Sequence, residues 1–283
     1  MKKVIFLLLV PYVCAFGQSY RAEANMKFHK WFRWHKGSPM LELNYGFTSP
    51  EYKKLNGEFA DFGSLDIKLG YTRIDTFELN VTELSEKFLI GGKASSKLIK
   101  DEGVDYKADI WKFGFGKREG YGYRFDKAGI EPYVQEGFLW SDFKSEPLNV
   151  VSSDLIYEDI ELLKRFEGRV RFGSNGEAGL KFRIGNHLTF NAAYEYNQIF
   201  PRYLFWKHAG SVAIEGAAGK LLDEFIEEAA YSSPYAAPII HLLLKGGLSY
   251  AFYELRKDRM NWPFESESPI SYATVKFSVS FSF

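Results

Sequence analysis

Tyr272-Ala273-Thr274-Val275-Lys276-Phe277-Ser278-Val279-Ser280-Phe281-Ser282-Phe283 is the stretch on which the fold turns. Ala273, Val275, Phe277, Val279, Phe281 and Phe283 share one parity, and Thr274, Lys276, Ser278, Ser280 and Ser282 share the other. A strand repeats every two residues, so the segment has one apolar and one polar face. Its length suits a tilted strand that crosses a bilayer.

The same alternation recurs upstream. Between Gly168 and Phe200, Val170 and Phe172 alternate with Arg169 and Arg171. Ala178, Leu180, Phe182 and Ile184 follow Ser174-Asn175-Gly176, and Leu188, Phe190, Ala192, Tyr194 and Tyr196 follow Gly185-Asn186. Asn-Gly and Gly-Asn pairs accept the positive φ of tight hairpins, so this region reads as a three-strand meander. Further runs are Leu41 to Phe47, Leu65 to Tyr71, Phe77 to Val81, Trp111 to Phe115, Tyr121 to Phe125 (after a turn at Lys117 to Gly120) and Gly129 to Phe143. With the last strand the count is about ten. The expected fold is all-β with a helical insert, an antiparallel transmembrane β-barrel occupying residues 38–283.

Two segments break the alternation. Asp154 to Phe166 reads as a short helix or an irregular loop. The larger break, 203–257, is helical in character: Ala209, Ala213 and Ala217 recur every four residues, and Leu221, Leu222, Phe225 and Ile226 oppose Asp223, Glu224, Glu227 and Glu228. Ser232-Ser233-Pro234 interrupts it, and Pro238 suits the first turn of a second helix. Gly246-Gly247 is a point where that helix ends early, leaving Leu248 to Leu255 as another strand. The lumen, the periplasmic mouth and the membrane interface could each bury its apolar surface, and the expected place is a plug in the lumen or a periplasmic cap over the barrel end.

The N-terminus carries the pattern of an export signal, residues 1–17. Lys2 and Lys3 precede the apolar run Val4 to Val10, and Ala15 and Gly17 occupy the −3 and −1 positions before Gln18. That run is far shorter than the roughly 20 residues of a spanning helix. Cys14 is the only cysteine, and Pro11-Tyr12-Val13 before it does not fit a lipid-attachment motif. Cleavage after Gly17 removes it, which excludes disulfides and thiolate metal sites. Residues 18–37 interleave Phe28, Trp31, Phe32 and Trp34 with Lys27, His29, Lys30, Arg33, His35 and Lys36, a mixture suited to contact with a membrane interface.

Composition agrees with this class. The chain has 26 Phe, 18 Tyr and 25 Gly in 283 residues, and its mean hydropathy is −0.24, as expected when half of each strand faces a polar lumen. The 36 basic and 36 acidic residues balance, which gives no support to nucleic-acid binding.

The terminal strand, ending on Phe281 and Phe283, resembles the C-terminal β-signal of outer-membrane β-barrel proteins. That resemblance covers about a dozen residues and implies a class rather than a family. It implies location in the outer membrane of a Gram-negative-type cell, lipid contact, and recognition by the barrel-assembly machinery.

No Walker loop, His-Glu-x-x-His or Gly-x-Ser-x-Gly motif occurs, so no catalytic residue, metal site or cofactor is expected. His29, His35, His187, His208 and His241 are scattered. Arg169, Arg171, Lys181 and Arg183 share one parity on neighbouring strands and form a candidate lumen anion site; pairing with Glu177 or Glu195 is the competing reading. The function expected is a structural or passive-transport barrel. The alternatives are an enzyme modifying lipid or lipopolysaccharide, and a soluble periplasmic β-protein.

Overall fold

The computed structural model describes residues 37–78, 80–98, 105–148 and 154–283. The expected signal and the interface residues Phe28, Trp31, Phe32 and Trp34 lie outside them. Eight antiparallel strands close into a barrel in sequence order: β1 (Ser38–Glu51), β2 (Phe62–Glu78), β3 (Val81–Ser95), β4 (Tyr106–Phe125), β5 (Ala128–Pro147), β6 (Arg171–Ile184), β7 (Leu188–Ile199) and β8 (Ile270–Ser282). The short helix α1 (Asp154–Leu163) lies between β5 and β6. A hairpin of two long helices, α2 (Phe205–Ser232) and α3 (Ala237–Asp258), precedes β8.

The strand number is eight, not about ten, for a local reason. Lys117 to Gly120 and Ser174 to Gly176 lie inside continuous strands, and their residues pair on both sides. Glycine within a strand imitated a turn signal, although at Gly120 it answers a close approach: a Cβ there would meet the Pro132 carbonyl at 2.1 Å. In the opposite sense, Val81 begins the strand β3, whose outward face is too charged to read as apolar alternation. The turns that do exist are short. Asp126 (φ 48°) and Gly185 (φ 64°) supply the left-handed positions that the β4–β5 and β6–β7 turns require.

Pairing followed once round the barrel runs Ser38, Thr72, Glu86, Arg118, Gln135, Glu177, Glu195, Thr274 and back to Thr48. The circuit returns to β1 ten residues further on. This stagger fixes a steep strand tilt and leaves an interior that side chains can fill. All the short turns lie at one end, and the loops 52–61, 96–105, 148–170 and 200–269 lie at the other.

The long-loop end is sealed by an apolar cluster. Tyr52 and Phe59 from the first loop, with Leu163 and Phe166 beside α1, pack on Phe62, Ile110, Phe143 and Tyr272 of the strands. Asp159 of α1 ties this seal together. Its carboxylate accepts from the backbone N–H and side-chain amide of Asn56 (both 3.0 Å), from the Gly57 N–H (2.9 Å) and from the Tyr106 hydroxyl (3.2 Å). An Asp159→Ala change strips four donors of their acceptor. Amide exchange at Asn56 and Gly57 then accelerates by at least about tenfold, the scale of one lost buried hydrogen bond; unchanged exchange would mean that the loop is held by the apolar packing alone.

Candidate functional site

Ionisable side chains from all but one of the eight strands converge on the barrel axis. Arg118 of β4 reaches Glu42 of β1 (2.8 Å), Glu86 of β3 (2.7 Å) and Glu177 of β6 (2.9 Å). Contacts between strands that are not neighbours pass through the interior, so these residues define the inward parity. Lys68 pairs with Glu177 (2.9 Å) and Glu42 (3.3 Å); Lys181 pairs with Glu86 and, at 3.9 Å, with Glu42. A second group sits toward the sealed end: Lys276 contacts Asp66 and Glu195, each at 2.7 Å, and Lys112 contacts the same two acids at 3.1 and 3.4 Å. Lys276 also lies 3.7 Å from Glu177 and joins the groups into one network.

Five cations (Lys68, Lys112, Arg118, Lys181, Lys276) thus meet five carboxylates (Glu42, Asp66, Glu86, Glu177, Glu195), and every one of the ten residues is buried. Neutral groups supply further partners, though Arg118 Nε is buried without one. Gln135 accepts from Lys68 and Arg118, Asn175 donates to Glu195, Asn191 donates to Glu42, and the Tyr133 hydroxyl donates to Glu177 at 2.7 Å. The Arg118 guanidinium also lies over the Tyr133 ring, 4.3 Å from its centroid. Room for so large a side chain comes from glycine at the inward positions Gly114, Gly116, Gly120 and Gly122 of the same strand.

Toward the short-turn end the lumen opens into a cavity of about 210 Å³, lined by Thr72, Glu86, Glu131, Lys181, Arg183, Thr189 and Ser280 among others. Here Arg183 pairs with Glu131 at 2.9 Å. The four residues of the candidate anion site are therefore not brought together. Lys181 and Arg183 stand at this mouth, each with a carboxylate. Arg171 lies at the opposite end of β6, about 40 Å of strand away, and donates to the carbonyls of Phe166 and Arg165. Arg169 is exposed before the strand begins. Sequence reading missed Arg118, which a supposed turn at Lys117 to Gly120 concealed.

The outer face carries the complementary pattern. Leu43, Tyr45, Phe47, Leu65, Ile67, Leu69, Leu89, Phe113, Phe115, Val275, Phe277 and Phe281 are all exposed and form an apolar belt. Phe283 is exposed, and its N–H donates to the Pro39 carbonyl.

The helical hairpin is neither a plug nor a cap. Gly246 of α3 approaches Val134 and Ala178, whose parity is opposite to that of inward Gln135 and Glu177, so α3 lies on the outer wall. His241 stacks edgewise on Tyr121, and Tyr250 meets Tyr194 and Tyr196. Glu119, Val134, Ala178 and Tyr194 are register partners, so α3 crosses β4 to β7 nearly at right angles to the strands. The lumen, filled by the network and the seal, has no space for a helix. The helix runs on through Gly246-Gly247 instead of yielding to a strand.

The remaining histidines are dispersed: His208 is packed among Phe138, Phe172, Phe200 and Tyr203, and His187 lies at a turn, bonded to the Ser282 carbonyl. Among the described residues no group of three or more His, Cys, Asp or Glu is arranged to hold a metal.

No family model matches the chain, and no curated protein matches it. Among solved structures it is similar to Neisserial surface protein A (8% identity, 87% of this chain and 97% of that one, TM-score 0.38). It is also similar to Ail, the attachment invasion locus protein of Yersinia pestis (10% identity, 87% and 99%, TM-score 0.32). A third is the N-terminal β-barrel domain of Pseudomonas aeruginosa OprF (12% identity, 88% and 100%, TM-score 0.32).

Replacing Lys276 by Met removes one of the two cations that Asp66 and Glu195 share and leaves five buried carboxylates facing four cations. A loss of about 3–5 kcal/mol is expected, the cost of breaking a buried pair from one side. It reads out as a lower temperature at which the unheated protein stops migrating as a compact species. Lys53→Met, which removes an exposed pair with Asp258, changes that temperature little. Equal effects of the two substitutions would contradict the account.

Proposed function

We propose that this chain is an exported outer-membrane β-barrel, closed to solutes, that anchors and presents the structure built from its long loops. The observation that carries this reading is the lumen: a net-neutral network of ten buried charges beneath an apolar seal. Such an interior supplies neither a water path nor an unpaired ring of one sign, the two features on which pores depend. The passive-transport reading is accordingly set aside in favour of the structural one.

The membrane assignment is supported by the exposed apolar belt on a barrel without sheet edges, since a closed barrel satisfies every backbone hydrogen bond internally in lipid. Short turns at one end and long loops at the other follow the usual asymmetry of such barrels, which places the turns, and the mouth at Glu131 and Arg183, on the periplasmic side. In this reading outer-membrane lipid is the partner of the belt, and Phe281 and Phe283 form the signal for the barrel-assembly machinery.

The purified barrel, reconstituted into planar bilayers, is expected to give no conductance steps above the lipid baseline. Stable, reproducible steps would overturn the closed-barrel reading and restore a channel.

A further inference from the structure

The outer wall carries charge where an apolar belt should be uninterrupted. Because the pairing line climbs ten residues per circuit, a level circuit drifts back by about one and a quarter residues per strand. From Leu43, in the middle of the apolar run on β1, that circuit passes close to Lys117 on β4, Gln135 on β5 and Ala178 on β6. Lys117, Glu119 and Glu136 point outward at this height, with Lys117 at 3.3 Å from Glu119 and 3.6 Å from Glu136. A bare Lys at the middle of a bilayer is strongly unfavourable. It is over this strip that α3 lies, with His241 and Lys245 completing a small crevice around the three charges.

Polarity in the hairpin is inverted relative to a helix of a water-soluble protein. The face of α3 that packs inward holds His241, Ser249 and Arg256 together with Gly246, Phe252 and Tyr253, all buried. Its exposed face holds Ile239, Leu243, Gly247, Ala251 and Leu255. The first half of α2 repeats the inversion: His208 and Ser211 are buried, and Ala209, Ala213, Ile214, Gly216 and Ala217 are exposed. Within Ala209 to Gly219 and Ile239 to Leu255 the charges face partners, Glu215 to Arg256 at 2.7 Å, Lys245 to Asp223 at 2.8 Å and Glu254 to Lys257 at 3.1 Å, while the exposed Lys207 and Lys220 flank the first stretch. A soluble helix buries its apolar stripe and exposes its polar one; the opposite arrangement suits a solvent that is itself apolar.

We infer that the hairpin is embedded in the bilayer beside the barrel, with Ala209 to Gly219 of α2 and Ile239 to Leu255 of α3 in contact with lipid acyl chains. It shields the charged strip of the wall. Among the described residues no helix is long and apolar enough to cross a membrane by itself. The wall supplies what the helices lack, because the polar groups of α3 find their partners on β4, on β7 and on α2. The acidic run Asp223 to Glu228 lies beyond the apolar stretch, in the half of α2 that reaches Tyr121 and Phe77 near the short-turn end, where water is within reach.

This inference rests on the membrane reading, and one experiment separates the two. Nitroxide labels are placed singly by Leu243→Cys, Ile214→Cys, Ile67→Cys and Glu228→Cys, with Cys14 replaced by Ser, in the full chain reconstituted in phosphatidylcholine vesicles. Accessibility to molecular oxygen is compared with accessibility to a water-soluble nickel chelate. The expected result is that Leu243→Cys and Ile214→Cys match the barrel-belt site Ile67→Cys, favouring oxygen, while Glu228→Cys favours the chelate. Chelate access at 243 and 214 with oxygen preference retained at 67 would overturn the inference and place the hairpin in water. Exclusion of both reagents at 243 and 214 would also overturn it, and assign that face to a protein, a second copy included. Chelate access at 67 would refute the membrane reading itself.

Discussion

Ten ionisable groups on the inner face of an eight-stranded barrel have to neutralise one another, because water cannot enter in sufficient amount to do it for them. Each charge taken from water costs several kcal/mol, and that cost is recovered only where geometry is good and the leftover hydrogen-bond valences are filled. Both conditions are largely met: five cations meet five carboxylates, and Gln135, Asn175, Asn191 and Tyr133 supply further partners, with Arg118 Nε left over. The consequence is register. Because Arg118 must meet Glu42, Glu86 and Glu177 at once, sliding any of β1, β3, β4 or β6 by one residue would turn one of these groups outward. The stagger of ten residues, the tilt and the closed lumen all follow from that constraint.

The outer wall answers the same chemistry from the other side. Over most of the circumference its residues are apolar, and lipid suits them. Over β3, β4 and β5 they include charges, and over β4 and β5 the hairpin takes the place that lipid would otherwise occupy. The face of α3 turned away from the wall is apolar, and its His241, Ser249 and Arg256 are turned inward beside Phe252 and Tyr253, so the barrel and its hairpin together present a more uniform apolar surface than the barrel alone.

Much of this was legible in the chain. The alternation from Ala273 to Phe283 named the class, and the four-residue recurrence of Ala209, Ala213 and Ala217 identified the helical insert. What the sequence concealed had local causes. Gly120 and Asn175-Gly176 carry turn-forming residues for reasons of close packing and lumen space, so two strands appeared as four. The position of the hairpin was out of reach because amphipathicity reports that a helix has two faces, not which solvent each one meets. The basic set Arg169, Arg171, Lys181 and Arg183 shares a parity, but parity says nothing of height along a strand, and its members stand at opposite ends of β6.

The central claim is that the lumen charges act as one cooperative unit, and a double-mutant cycle tests it most directly. Arg118→Met, Glu177→Gln and the double variant are compared with the unaltered barrel by denaturant unfolding in lipid vesicles. The account predicts a coupling of about 1–3 kcal/mol, with the double variant more stable than the two single losses would sum to. Additivity to within about 0.5 kcal/mol would contradict it and reduce the network to a set of independent contacts.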